Sequence, residues 1–121
     1  MNTLYLAVLS ISLSVVAQFA LKTGMSSTAM IAVMAQPFTP RTIVSVLTDV
    51  YVLGGFLLYG LGAVVWLGVL SKWDVSKAYP LVGLGFAVTV VVGFMAGEHV
   101  TIPRVIGVAF ICTGVFLVGR S

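Results

Sequence analysis

Thr3 to Leu21, Val50 to Ser71, Tyr79 to Ala96 and Arg104 to Val118 are four long, mostly apolar runs, and none of them contains an Asp or Glu. A bilayer core takes about 20 apolar residues per helix. Within hydrocarbon every backbone N–H and C=O must find its partner inside the protein, so runs of this kind are expected to be helices. The rest of the chain could not solvate them, because 60% of its 121 residues are hydrophobic and only 7% are charged. A soluble domain carries about 25% charged residues. The fourth run is short, but Thr101 suits an N-cap and Pro103 the first helical turn, so that helix is expected to begin earlier. Pro80 has the same opening role for the third. The expected fold class is therefore an all-α membrane protein, a single domain over 1–121 with transmembrane helices at about 3–22, 50–71, 79–97 and 102–119.

The first run lacks a basic n-region and exceeds the apolar length of a signal peptide, so it reads as a retained helix. Short connections in the second half make neighbouring helices antiparallel. The segment Thr23 to Asp49 differs: Pro37, Pro40, Arg41 and several Ser and Thr interleave with Met30, Ile31, Val33 and Met34. It is expected to form a long interfacial or re-entrant first loop. Basic residues divide evenly, with Lys72, Lys77 and Arg120 on the side of both termini and Lys22, Arg41 and Arg104 on the other. That balance sets no orientation by the positive-inside rule. It is compatible with an antiparallel homodimer or with an orientation imposed by a partner subunit. The six Lys and Arg are scattered singly, which argues against nucleic acid despite a net charge of +3. Cys112, the single cysteine, reads as a small apolar packing residue.

Polar residues inside the apolar runs carry the functional information, since the membrane penalises them. Ser10, Ser14, Gln18 and Lys22 recur every four residues on the first helix. At about 100° per residue they form one slowly turning stripe. The stripe could face a cavity with Lys22 at its mouth; alternatively the serines bond back to their own helix, Gln18 joins helices and Lys22 snorkels to headgroups. Proton-coupled export of a cation needs a carboxylate deep in the membrane. Asp49, Asp74 and Glu98 all fall at or near helix ends. A lysine at the interface suits an anion, a phosphate above all, with Lys77 or Arg41 as further candidates.

Glycines are dense on the second and third helices, and Gly93 and Gly97 form a GxxxG pair expected at a helix contact. Gly107 and Gly114, seven apart on the fourth helix, suit a helix or subunit contact. Trp66, Trp73 and Tyr79 cluster near one membrane surface, as an aromatic belt or as a platform for a ligand. Nothing resembles a catalytic triad, a phosphate-cradling loop or a metal site, and His99 sits in a short turn, so neither enzyme activity, a cofactor nor a bound metal is expected.

Ser14-Val15-Val16-Ala17-Gln18 with Lys22, Trp66 with Val69-Leu70, Ala78-Tyr79-Pro80-Leu81, Leu84-Gly85-Phe86, Gly97-Glu98 and Gly107-Val108-Ala109-Phe110-Ile111 with Gly114 together resemble the drug/metabolite transporter superfamily. The resemblance covers most of the chain except the first loop. Two four-helix branches come into question: small multidrug resistance proteins, and the small subunits of flippases for undecaprenyl-phosphate-linked aminoarabinose. With the first-helix lysines aligned, the multidrug branch's membrane-embedded glutamate falls at Ser14 and its third-helix Trp at Val82. Gln18, Lys22 and Ala78 to Pro80 match the flippase-subunit branch instead.

That resemblance implies a multi-pass protein of the bacterial inner membrane, moving a polyprenyl-phosphate-linked sugar or a similar anionic amphipathic lipid. A chain of this size is too small to enclose a path alone, so a homo-oligomer or a paired four-helix subunit is expected. Ser14 and Gln18 would bond the head group, Lys22 would pair with phosphate, Tyr79 would pack near the entrance, and Trp66 would be a further substrate-binding residue. Two alternatives are a small-solute or drug exporter that uses Glu98 as an atypical coupling residue, and a non-transporting assembly subunit.

Overall fold

The computed structural model describes residues 2–121, and all regular structure among them is helical. Helix α1 spans Thr3–Met25, α4 Val50–Leu70 and α7 Ile102–Arg120. The remaining span, Val75–Met95, is composite: α5 over Val75–Ala78, a 3-10 turn over Tyr79–Val82 and α6 over Gly83–Met95. These four segments are long and apolar enough to cross a membrane, so the protein is a multi-pass, four-helix membrane protein. The starts of α1, α4 and α7 are capped by short polar side chains. Asn2 Oδ1 accepts from the Leu4 N–H, Asp49 Oδ1 from the Tyr51 and Val52 N–H groups, and Thr101 Oγ1 from the Arg104 N–H. Each cap satisfies donors that the first turn leaves without a partner.

Three boundaries differ from the sequence reading by more than one residue. Helix α1 continues through Met25, which places Lys22 inside the last turn rather than at the helix end. The third span begins at Val75 instead of Tyr79, because Pro80 does not open a helix here. Proline lacks the N–H that the carbonyl four residues earlier needs, and the chain tightens into a 3-10 turn before resuming α geometry. At its far end the span stops at Met95, two residues short of Gly97. Gly97 has φ +94°, its N–H donates to the Phe94 carbonyl and the Glu98 N–H to the Gly93 carbonyl, a Schellman termination that glycine adopts without steric cost. Gly93 and Gly97 therefore do not share a helix face.

Close approach of backbones builds α1 and α4 into an antiparallel hairpin. A Cβ on Gly55 would lie 2.8 Å from Leu21 side-chain carbons and 3.2 Å from the Ala17 carbonyl oxygen; one on Gly62 would lie 3.3 Å from the Ser10 carbonyl oxygen. Ser10 Oγ donates to the Gly62 carbonyl at 2.7 Å, a buried bond between the two helices. Small residues at such seams are how membrane helices gain van der Waals contact where lipid is as apolar as the side chains. The third span packs on α1 through Gly85, against Ile11 and Val15, and on α7 through Gly83, against Ile111 and Val115. The helices thus follow one another in space as α4, α1, third span, α7. A core of Ala7, Val69, Ala78, Leu81 and Val115 lies near the end that carries the start of α1 and the turn after α4, flanked by Leu6, Trp66, Trp73 and Leu84.

The first loop folds into two short helices at the opposite end, α2 over Thr28–Met34 and α3 over Pro40–Leu47. Ser27 caps α2 by accepting from the Met30 N–H, and Thr39 with Thr42 forms a capping box ahead of α3. At seven and eight residues neither crosses a bilayer. Ile31, Met34, Val44 and Leu47 are exposed on them and Phe38 in the connection between them, in keeping with an interfacial position.

Candidate functional site

Three helix faces converge on one groove. Ser10, Ile11, Ser14, Val15 and Gln18 of α1 form its floor, Tyr59, Gly62, Ala63 and Trp66 of α4 one wall, and Tyr79, Val82, Gly85, Phe86 and Thr89 of the third span the other. Each set recurs at three- and four-residue steps, as one helical face requires. The groove encloses about 290 Å³ and its lining is mostly apolar. Tyr79 and Trp66 lie toward the end with the turn after α4, and Gln18 and Thr89 toward the end with the first loop.

Its polar groups divide into two kinds. The serine hydroxyls are committed to backbone: Ser10 bridges to α4, and Ser14 Oγ donates to the Ser10 carbonyl at 3.1 Å within α1. Gln18, Tyr59, Tyr79 and Thr89 have side-chain hydrogen-bonding capacity that no other described residue takes up, and Gln18 is exposed into the groove. No charged residue among the described ones lines it. Such a surface can hydrogen-bond a neutral polar group while its aromatic rings pack against an apolar or sugar face, and it provides no carboxylate for proton or cation exchange.

The structure thus brings Ser14, Gln18, Trp66 and Tyr79 together. Lys22 stands outside the lining, exposed, one helical turn beyond Gln18. Glu98 is also outside, exposed in the connection before α7, with its carboxylate against Gly93. A Cβ on Gly93 would sit 2.8 Å from Glu98 Oε1, so this glycine accommodates a side chain and not a neighbouring helix. Gly107 and Gly114 face open space on α7, of which Val115 is the buried residue. Tyr59 and Thr89 are groove residues that the sequence reading did not single out. Their signal was spacing: Tyr59 is seven before Trp66, and Thr89 is ten after Tyr79.

Comparison with known proteins gives a partial but consistent match. The chain is 44% identical over 63 residues to a protein of Pseudomonas savastanoi pv. phaseolicola named a probable 4-amino-4-deoxy-L-arabinose-phosphoundecaprenol flippase subunit ArnE, covering 51% of this chain and 55% of that one. It is 39% identical over 63 residues to the protein of the same name from Pseudomonas syringae pv. syringae, covering 51% and 58%. A third of that name, from Pseudomonas aeruginosa strain UCBPP-PA14, is 39% identical over 66 residues, covering 54% and 57%. The chain therefore spans a little over half the length of the curated relatives it matches. No family model matches the chain, and no solved structure matches it. The relatives belong to the branch that the sequence resembles through Gln18, Lys22 and Ala78 to Pro80.

Proposed function

We propose that the protein is a subunit of a flippase that moves a polyprenyl-phosphate-linked sugar, or a similar anionic amphipathic lipid, across the bacterial inner membrane. The observation that carries this reading is a mostly apolar, uncharged groove with a few free hydrogen-bonding side chains, set along the side of a membrane helix bundle, floored by the Ser14–Gln18 face and bounded by Trp66 and Tyr79. An open side lets a lipid tail stay in hydrocarbon while its head follows the groove, and hydrogen bonds from Gln18 and the tyrosines replace those lost from water. Lys22, a turn past Gln18, meets the phosphate where the groove reaches the interface. The reading is that of a transporter and not an enzyme. A second four-helix unit, identical or paired, closes the open side, and Gly107 and Gly114 on α7 provide a surface that its helix can approach.

Translocation is tested in cells that make the lipid-linked sugar, by labelling it from the outer face with a membrane-impermeant reagent. Gln18→Leu should lower the labelling rate about 2- to 10-fold, the range set by the net value of one hydrogen bond. Undiminished labelling in cells lacking the protein would sink the reading.

A further inference from the structure

A second cavity, of about 550 Å³, opens on the other side of the core, between the third span, α7 and the start of α1. Ala7, Ala78 and Val69, all wholly buried, share a core cluster with Leu81 and Val115 of its wall. Two cations border it, Lys77 from α5 and Arg120 from the last turn of α7. Each is set over an aromatic ring: Lys77 Nζ is 4.8 Å from the Trp73 ring centroid and the Arg120 guanidinium carbon 5.6 Å from that of Phe116. A ring face orients a cation without neutralising it. No carboxylate lines the cavity among the described residues; Asp74, three residues before Lys77, lies outside it. The remainder of the wall is mostly apolar, with Leu81, Leu84 and Val115 running inward from the charged end.

We infer that this cavity is a binding site for an anionic phospholipid of the surrounding bilayer, its phosphate held between Lys77 and Arg120 and one acyl chain laid along Leu81, Leu84 and Val115. Two positive groups at the membrane surface above an apolar slot between spans match the two halves of such a molecule, and basic pockets of this kind recognise anionic headgroups. The cargo lipid is a poorer fit. Beyond the cations, the polar side-chain groups at the cavity are the Asn2 amide, whose oxygen already accepts from the Leu4 N–H, the Trp73 indole N–H and the Cys112 thiol, so little is present to hydrogen-bond a sugar. The site is thus independent of the groove and of the transport reading built on it.

Native mass spectrometry of the full chain in detergent, titrated in turn with phosphatidylglycerol, phosphatidylcholine of the same acyl chains, and undecaprenyl phosphate, tests the assignment. Phosphatidylglycerol should bind about tenfold or more in preference to phosphatidylcholine, the scale expected of two basic residues near a lipid surface. Lys77→Gln with Arg120→Gln should abolish that preference, Lys77→Arg with Arg120→Lys should keep it, and Gln18→Leu should leave it unchanged. The double Gln variant is compared at matched helical content by circular dichroism, so that loss of fold is not read as loss of a site. Equal binding of the two phospholipids, or a preference that survives the double Gln variant, overturns the proposal. Displacement of bound phosphatidylglycerol by an equal concentration of undecaprenyl phosphate would also overturn it, by assigning the site to the cargo class.

Discussion

Ser10 and Gln18 sit eight residues apart on one face of α1, yet their side chains face different demands. Ser10 is buried and its hydroxyl is spent on the Gly62 carbonyl. Ser10→Ala should cost about 0.6 kcal/mol and at most about 1.7, the span measured for polar bonds between membrane helices, and thermal unfolding in detergent checks it. Transport should change little. Gln18 has no such engagement, so Gln18→Leu should leave the unfolding temperature close to that of the parent while slowing translocation. The polar stripe was legible in the sequence because a period of four on an apolar helix is easily seen. Which of its members hold structure and which face the groove was not, since that depends on where α4 puts a carbonyl.

Between elements, glycine is the residue that decides, and it does so by position. Gly62 presses on the Ser10 carbonyl, whereas Gly60, two residues away, meets nothing. Gly62→Val should therefore destabilise the protein by about 1–3 kcal/mol through overpacking, and Gly60→Val should be close to neutral. Thermal melts of the two variants in the same detergent provide the comparison. The four spans could be read from hydropathy alone, because length and apolarity are local properties. The ends of the third span could not. Whether Pro80 opens a helix or interrupts one depends on the residues before it, and Asp74 to Ala78 already form a hydrogen-bonded turn, with the Lys77 and Ala78 N–H groups donating to the Asp74 carbonyl. Gly97 was read as a contact and is a terminator, because a GxxxG spacing is shared by helix seams and by a helix followed by its C-terminal glycine. The first loop kept its helices hidden in sequence, though Ser27 and Thr39 mark their starts, because segments of seven and eight residues are too short for periodicity to declare itself.

For the whole molecule, the arrangement is lopsided. Helix α7 packs on the third span along one side and exposes Val105, Ile106, Phe110, Phe116 and Leu117, with Gly107 and Gly114 open. Replacing both glycines with leucine should shift a cross-linked population from oligomer toward monomer. It should leave the monomer's unfolding temperature within about 0.5 kcal/mol of stability, since neither touches its own chain. The groove is lopsided as well. One wall, α4, is fastened to the floor by close backbone contact and a buried hydrogen bond; the other, the third span, rests on α1 chiefly at Gly85. In the order of synthesis, everything the tight hairpin needs lies within the first 70 residues of the chain. Once α4 has entered the membrane, α1 and α4 can pair before the third span joins them, so one wall of the groove can be fixed to its floor before the other wall arrives.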